Sequence, residues 1–349
     1  MFPLEPVWTL TLEVPPAAAG TLDATRVYIP LQESGVTALL RADGSQVWRS
    51  NLSSHWPVVV SGATVAVATA EAVVGLDPAT GTERWRTPLA TLAVPLVADG
   101  RLLVALTVDG QLLALHPDSG AILWRRTLTE VPSSPPALGA IIAVATGNRI
   151  VALDRLTGAT RWERILDSRP GAPSLVQDLI LVATAAHRLH ALRAETGLDI
   201  WTWRVGGDVI GAAADGQRIY FATLDNVLHA VAAGSGNQQW KTLLTGRPGA
   251  APIVVDGAVL VAGVSSKVES FVARSGKAQA SYAATADLLG PPLVDPAVTS
   301  VVSVVAIGRD GRITALRSEK RMMRDPVPAL LRDLPGRRLT RERLLPPPA

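Results

Sequence analysis

The stretch PLVADGRLLVALTVDGQLLALHPDSGAILWRRTL, residues 95–128, contains four short apolar runs separated by turn residues. The pairs Asp99-Gly100 and Asp109-Gly110 separate the first three runs, and Gly120 precedes the fourth run, which carries Trp124. An Asp-Gly pair between apolar runs favours a tight hairpin turn in which both central residues have positive φ. The stretch therefore predicts four short antiparallel strands.

The same unit recurs along the chain. A tryptophan returns every 37 to 40 residues, and from the second copy onward it follows a glycine by four residues. The tryptophans are Trp8, Trp48, Trp85, Trp124, Trp162, Trp201 and Trp240, and the glycines are Gly44, Gly81, Gly120, Gly158, Gly197 and Gly236. A period near forty residues with strand-like content is typical of the blades of a β-propeller.

Counting strands gives the number of blades. The third strand of the unit occurs eight times, centred on Ala38, Gly75, Ala114, Ala152, Ala191, Ala230, Ser270 and Ala315. The first fourth strand, around Trp8, precedes any complete unit, and the last unit ends at Leu316 without one. We therefore predict an all-β fold over residues 1–317, an eight-bladed β-propeller of four-stranded antiparallel blades, closed by the N-terminal strand joining the last blade. In blade seven, Ala280 stands where tryptophan is expected, and Tyr282 is the candidate substitute.

The repeat resembles a known family. The segments GLDPATGTERW (residues 75–85) and ALDRLTGATRW (residues 152–162) are similar to the PQQ-like propeller repeat, and the resemblance extends over nearly the whole chain up to Leu316. It implies that each tryptophan docks between neighbouring blades, as a large amphipathic ring with few rotatable bonds is suited to do. The size and blade count resemble the BamB-like, non-catalytic branch of this family.

Composition limits the chemistry. The chain has 48% hydrophobic and 18% charged residues and no cysteine, so disulfides and thiolate metal sites are excluded. No uninterrupted run of ~18 apolar residues indicates a membrane span. The first fourteen residues lack a basic segment followed by an apolar core, so no signal peptide is visible. We expect a leader upstream and a periplasmic or outer-membrane-associated protein, because similar propellers work in the bacterial envelope; the alternative is a cytoplasmic protein.

The positive charge is concentrated at the C-terminus. Residues 317–349 carry nine Lys or Arg and four Asp or Glu, a net charge of +5, so the rest of the chain accounts for −2 of the total of +3. The ring therefore shows no general basic patch, and we expect no nucleic acid partner. We expect residues 318–349, which are rich in proline, to form a flexible tail that contacts an anionic membrane surface or an acidic partner. A solubilising end without a binding role is the alternative.

The sequence contains no motif that indicates a catalytic or cofactor site. The resemblance implies that a PQQ enzyme would need Glu, Asn and Asp around calcium, an Asp base, a Trp floor and usually adjacent cysteines. Cysteine is absent, and the only asparagines are Asn51, Asn148, Asn226 and Asn237. His190, His229 and Glu269 occupy equivalent positions in blades five to seven, but neighbouring blades are ~10 Å apart, too far for one zinc ion. We therefore predict no enzyme activity, no cofactor and no metal.

Two sets of loops share one face of a propeller, which we call the loop face. The turns between second and third strands carry Glu33, Glu71, Asp109, Arg149, Arg188, Asp225, Lys267 and Arg309. The connections between blades carry His55, Trp56, Glu130, Arg169, Asp208 and Arg247. Blades one to three are acidic there, and blades four and five are basic. The candidate partner face, which we call the basic sector, comprises Arg149, Arg169, Arg188 and Arg247; ordinary solvated loops are the alternative.

These observations favour a monomeric, non-catalytic scaffold of the bacterial cell envelope that binds protein partners on the loop face. The second reading is a ligand-sensing propeller module of a larger signalling protein. The third is a quinoprotein dehydrogenase.

Overall fold

The computed structural model describes residues 4–33, 35–264, 266–294 and 304–318. They form thirty-two strands in eight four-stranded antiparallel sheets, and these described ranges contain no helix. The predicted all-β, eight-bladed propeller is confirmed. Apart from Ser318, the predicted tail, residues 318–349, lies outside the described residues.

The strands are numbered in chain order, and the first belongs to the last blade. That strand is β1 (Leu4–Thr11). The strands of blades one to four are β2 (Thr21–Leu22), β3 (Arg26–Leu31), β4 (Gly35–Leu40) and β5 (Gln46–Ser50); β6 (Val59–Ser61), β7 (Thr64–Ala68), β8 (Ala72–Leu76) and β9 (Glu83–Pro88); β10 (Val97–Ala98), β11 (Leu103–Leu106), β12 (Gln111–Leu115) and β13 (Ile122–Thr127); β14 (Ala137–Leu138), β15 (Ile142–Thr146), β16 (Arg149–Leu153) and β17 (Thr160–Ile165).

The second half of the ring follows the same order. The strands of blades five to eight are β18 (Ser174–Val176), β19 (Leu179–Thr184), β20 (Arg188–Arg193) and β21 (Asp199–Arg204); β22 (Val209–Ala214), β23 (Arg218–Thr223), β24 (Val227–Ala232) and β25 (Gln238–Leu243); β26 (Ile253–Val255), β27 (Ala258–Ala262), β28 (Lys267–Val272) and β29 (Ala278–Ala283); β30 (Leu293–Val294), β31 (Val304–Ile307) and β32 (Arg312–Ser318).

The hydrophobic pattern of each strand follows its place in the blade. The middle strands are apolar and buried on both sides, as in β11, where every residue is buried. The outer strands alternate, as in β9, where Trp85 and Thr87 are buried and their neighbours are exposed. Both faces of a middle strand meet other blades, whereas an outer strand has one face in water. The described residues form eight apolar clusters, one at each junction between neighbouring blades.

The hairpin turns differ from the sequence prediction in one detail. Gly100 and Gly110 have φ of 84° and 81°, but the preceding Asp99 and Asp109 do not have positive φ. The Asp99 carboxylate instead accepts a hydrogen bond from the N–H of Arg101 at 3.1 Å. An aspartate that satisfies the backbone in this way shapes the turn itself, so that only the glycine adopts the left-handed conformation.

The ring closes as predicted. Strand β1 pairs antiparallel with β32, with Trp8 opposite Ala315 and Thr9 opposite Thr314. Blade eight is therefore built from both ends of the described chain, in the order β1-β32-β31-β30. This pairing covers the edge of β32 that would otherwise be open, because no later strand follows it in the described chain.

A tryptophan contact joins neighbouring blades at seven junctions. Trp85 of blade two lies over Gly120 of blade three, where a Cβ atom would come within 2.3 Å of Trp85 Cε3. The Trp85 indole N–H donates to the carbonyl oxygen of Pro117 in the same turn at 3.0 Å. The other six contacts join Trp8 to Gly44 and Arg41, Trp48 to Gly81 and Pro78, Trp124 to Gly158 and Arg155, Trp162 to Gly197 and Ala194, Trp201 to Gly236 and Ala233, and Trp240 to Gly276 and Ala273.

The junction between blades seven and eight has a different contact, and the topology explains Ala280. The tryptophan always lies on the turn between the third and fourth strands of the next blade. In blade eight these strands are β32 and β1, which come from opposite ends of the described chain and are not joined by a turn. A tryptophan at position 280 would lack its glycine and its carbonyl acceptor. Ala280 and Tyr282 instead pack against the apolar cluster shared by the two blades, together with Leu4.

Deleting residues 1–12 should open the ring. The truncated protein loses β1 and the Trp8 contact with blade one, and it exposes the edge of β32 to pairing with other molecules. We expect a lower melting temperature and self-association, measured by calorimetry and size-exclusion chromatography with light scattering. An unchanged melting temperature together with a monodisperse monomer would contradict this account of closure.

Alanine substitutions at two glycines distinguish the cost of disturbing a tryptophan contact from the cost of backbone strain. Gly120 and Gly257 have φ of +68° and +71°, but nothing lies within 4 Å of a Cβ at Gly257. Alanine at either position costs about 1–2 kcal/mol of left-handed strain. At Gly120 the alanine methyl group also collides with Trp85, which we expect to lower the free energy of unfolding by a further ~1–3 kcal/mol. Urea denaturation of Gly120→Ala and Gly257→Ala measures the difference, and equal losses would show that the tryptophan contact tolerates the methyl group.

Candidate docking face

Backbone hydrogen bonds bring the two loop sets together on the loop face. The N–H of Leu166, at the end of blade four, donates to the carbonyl oxygen of Asn148 in the second turn of that blade at 2.8 Å. Further along, the N–H of Ala185 in blade five donates to the carbonyl oxygen of Arg169 at 3.0 Å. Each connection thus runs from the turn of its own blade to the turn of the next, and equivalent bonds recur around the ring. The side chains there stand on a backbone that the ring holds in place.

The structure groups three members of the basic sector and sets the fourth apart. Arg149 and Arg188 are the first residues of β16 and β20, and Arg169 lies in the connection between these two blades. Arg247 lies in the connection between blades six and seven. All four side chains are exposed. The sequence predicted Arg149 and Arg188 in loops, and the structure places them at the adjoining strand ends.

Two of these arginines already have carboxylate partners. Arg149 Nη1 lies 3.2 Å from Glu163 Oε2, and Arg188 Nε lies 3.3 Å from Asp167 Oδ2. Arg169 Nη2 donates to the hydroxyl of Ser133 at 3.1 Å. Ion pairs at such exposed sites contribute about 0–1 kcal/mol, so a carboxylate of a partner can replace them at little cost.

His190 is part of a charged network between blades four and five. Its Nε2 lies 3.3 Å from Asp167 Oδ1 and its Nδ1 lies 3.4 Å from Asp199 Oδ1. Asp199 also pairs with Arg164 of blade four. The imidazole is thus held by carboxylates on both sides and belongs to the blade junction.

His229 has a different environment. Its ring stacks on Phe221 with centroids 4.8 Å apart and meets Trp203 edge-on at 5.4 Å. Burial among these rings lowers the pKa of His229 to about 4, so the imidazole is neutral at physiological pH. Glu269, the equivalent residue of blade seven, accepts a hydrogen bond from the N–H of Thr245 at 3.1 Å. The three equivalent positions therefore serve three separate local contacts.

The described residues contain no group of three or more His, Asp or Glu side chains placed to hold one metal ion. The described part of the chain also offers no helix with the length and apolar character that a membrane crossing requires.

A cavity opens on the loop face at blade two. It has a volume of about 390 Å³, and we call it the blade-two cavity. Its lining comes from the connection entering blade two, the second turn of that blade, and the outer strand and exit connection beyond it. The lining residues are Asn51, Leu52, Ser53, His55, Trp56, Ala68, Thr69, Ala70, Glu71, Arg86 and Thr91. The sequence placed His55, Trp56 and Glu71 on this face, but it gave no signal that a cavity lies between them.

Comparisons with known proteins agree with the observed fold. A family model described as outer membrane protein assembly factor BamB matches residues 32–176 and 165–326. The outer membrane protein assembly factor BamB of Burkholderia pseudomallei (strain K96243) is 32% identical over 129 residues, which are 35% of this chain and 32% of that protein. The matched part thus spans about a third of the length of this curated relative.

Solved structures extend the likeness to the whole ring. BamB from Moraxella catarrhalis superposes with a TM-score of 0.69 at 19% identity, covering 90% of this chain and 99% of that chain. A quinohemoprotein alcohol dehydrogenase from Pseudomonas putida HK5 superposes with a TM-score of 0.67 at 10% identity, covering 90% of this chain and 76% of that chain. Identities this low show a shared fold alone.

The neutral state of His229 predicts an acid-dependent loss of stability. An unfolded histidine has a pKa near 6.5, whereas the folded pKa is about 4, so the unfolded chain binds more protons between these values. The free energy of unfolding should therefore fall as the pH drops, by about 2 kcal/mol between pH 7.5 and pH 5 from this group alone. His229→Phe should remove that share in urea titrations, whereas His55→Gln, which leaves His229 in place, should retain it. An identical pH dependence of wild type and His229→Phe would contradict the assignment.

Proposed function

The chain belongs to the family described as outer membrane protein assembly factor BamB, and from this membership we propose that it is a non-catalytic scaffold that binds protein partners through its loop face. The observation that carries the proposal is the loop face itself, where charged side chains that differ from blade to blade stand at fixed positions on a closed ring.

The closed ring favours docking without a change of shape. Eight sheets, seven tryptophan contacts and the pairing of β1 with β32 hold the loops at their bases. A surface that is ordered before binding loses little conformational freedom on binding, and more of the interaction energy is then left for affinity.

The charge pattern favours a protein partner whose docking surface has one basic region and one acidic region. The second turns of blades one to three carry Glu33, Glu71 and Asp109, whereas Arg149 and Arg188 occupy the equivalent region of blades four and five. Opposed charges on one face orient an incoming partner and raise its association rate. In this proposal the basic sector meets an acidic surface of the partner.

The scaffold interpretation is supported by the family description and not by the wider likeness of fold. The likeness to the dehydrogenase is one of fold, at 10% identity. We propose that the protein works in the bacterial envelope, in outer membrane protein assembly, and the family description supports this proposal.

Charge reversal tests the basic sector. We expect Arg149→Glu, Arg169→Glu, Arg188→Glu and Arg247→Glu combined to abolish co-purification with outer membrane assembly components from the native host. The melting temperature should stay nearly constant, because exposed charges contribute little to stability.

A matched variant reverses exposed cations away from the loop face, at Arg101, Arg274 and Lys277, and should retain the partner. The association rate of the wild type with that partner should also fall steeply as salt is added. Retention of the partner by the fourfold variant would move the docking surface to another part of the ring.

A further inference from the structure

We propose that the blade-two cavity is a second docking site, which takes an aromatic side chain from an extended, basic segment of a protein partner. The proposal rests on the proposed function in that it assumes a protein partner for the loop face. It uses a part of that face that contains no member of the basic sector, so the two sites can be tested separately.

Trp56 is the natural anchor of this site. The hydroxyl of the buried Ser54 donates to the Trp56 carbonyl oxygen at 3.0 Å and accepts from its N–H at 3.2 Å, which fixes the backbone. The ring packs against the cluster between blades two and three, which includes Ala68 and Leu92, and its remaining surface lines the cavity. Trp56 makes none of the seven tryptophan–glycine contacts between blades, so only the buried part of its ring serves the junction between blades two and three. A rigid, half-buried tryptophan beside a cavity is the kind of residue that dominates protein interfaces.

An apolar path leads from the cavity to blade four. Thr91 lines the cavity, and its carbonyl oxygen accepts a hydrogen bond from the N–H of Val108 at 2.9 Å. The side chain of Val108 is 56% exposed and that of Val131, in the next connection, is 46% exposed. Val131 lies beside the turn of blade three, 3.6 Å from where a Cβ of Gly110 would be. An extended segment whose aromatic residue fills the cavity therefore meets further apolar surface along its length.

The charge around this path is negative on balance, because three exposed acidic side chains face a single unmatched cation among the described residues, Arg125, which lines a smaller pocket with Asp109. Arg86 is the only arginine or lysine in the lining, and both its Nε and Nη2 atoms donate to Glu83, at 3.0 and 2.6 Å. Its charge is therefore matched, which leaves the exposed Glu71 as the surplus charge in the wall of the cavity. Asp109 and Glu130, also exposed, flank the path at Val108 and Val131. Lysine or arginine residues next to the aromatic anchor complement this pattern, whereas acidic neighbours are repelled.

Two synthetic peptides test the proposal on the full chain. The probe is the blocked peptide Lys-Trp-Lys-Val-Lys, and its matched control is Glu-Trp-Glu-Val-Glu. We expect saturable binding of the basic peptide in isothermal titration calorimetry, weakened about tenfold or more by Trp56→Ala, the scale of an interface anchor. Equal binding of the acidic peptide would overturn the proposal.

A second variant covers the case in which Trp56→Ala disturbs the fold. Ala70 is exposed on the rim of the cavity, so Ala70→Trp fills the space while Trp56 stays in place. It should block the basic peptide with an unchanged melting temperature. Binding that survives both variants would overturn the proposal. Arg169→Glu, in the basic sector, should leave peptide binding intact. Retention of the partner by the fourfold basic-sector variant would therefore count against the proposed function alone, and failure of the basic peptide to bind the wild type would count against the cavity proposal alone.

The same experiment distinguishes a partner segment from two alternative occupants of the blade-two cavity. A synthetic peptide of residues 336–349 that competes with the probe and binds more tightly would assign the cavity to the chain's own C-terminal segment. Concentration-dependent dimerisation in sedimentation, abolished by Ala70→Trp, would assign it to a second copy. Either result would overturn the assignment to a partner segment. Competition by neither, with binding of the basic peptide alone, is the result we expect.

Discussion

The contact between a tryptophan and the glycine turn of the next blade is the interaction on which the ring depends. At each of seven junctions the indole lies against a glycine and donates its N–H to a carbonyl oxygen of the same turn. The contact removes the apolar surface of the indole from water, and the hydrogen bond satisfies a carbonyl oxygen that would otherwise face the junction without a partner. Only glycine allows this approach, because its φ is positive and a Cβ would collide with the indole. The spacing of four residues between glycine and tryptophan follows from this geometry. The glycine turn receives the indole of the preceding blade, and the fourth strand that leaves this turn carries the tryptophan that contacts the following blade.

The contact also explains where the pattern stops. Strands β32 and β1 of blade eight come from opposite ends of the described chain, so this blade has no glycine turn to receive an indole from blade seven. Blade seven accordingly carries Ala280 where the other outer strands carry tryptophan, and Tyr282 packs on the shared cluster instead. The pairing of β1 with β32 thus closes the ring and makes one junction unlike the other seven. That junction has a packed cluster without the indole hydrogen bond, and we expect it to be the first to separate under denaturing conditions.

A ring held in this way leaves its loops free to differ. Core positions are fixed by packing between blades, whereas the second turns and the connections only need their backbone hydrogen bonds. Acidic side chains over blades one to three and basic side chains over blades four and five therefore cost the fold little. In our proposals these charges orient a protein partner and the blade-two cavity receives its anchor residue, the two elements that specific protein docking combines.

The sequence by itself determined the fold class, the number of blades, the strand order and the closure by the N-terminal strand, because each follows from local periodicity repeated eight times. It also placed His55, Trp56, Glu71 and the basic sector on one face, since turns of the same kind fall on the same side of every blade. Only the tertiary structure decided which side chains meet across blades. It paired His190 with Asp167 and Asp199, enclosed His229 with Trp203, separated Arg247 from the other three arginines, and opened a cavity beside Trp56. These contacts join residues from different blades and loops, and their geometry depends on the angle between neighbouring sheets. A local sequence pattern does not determine that angle.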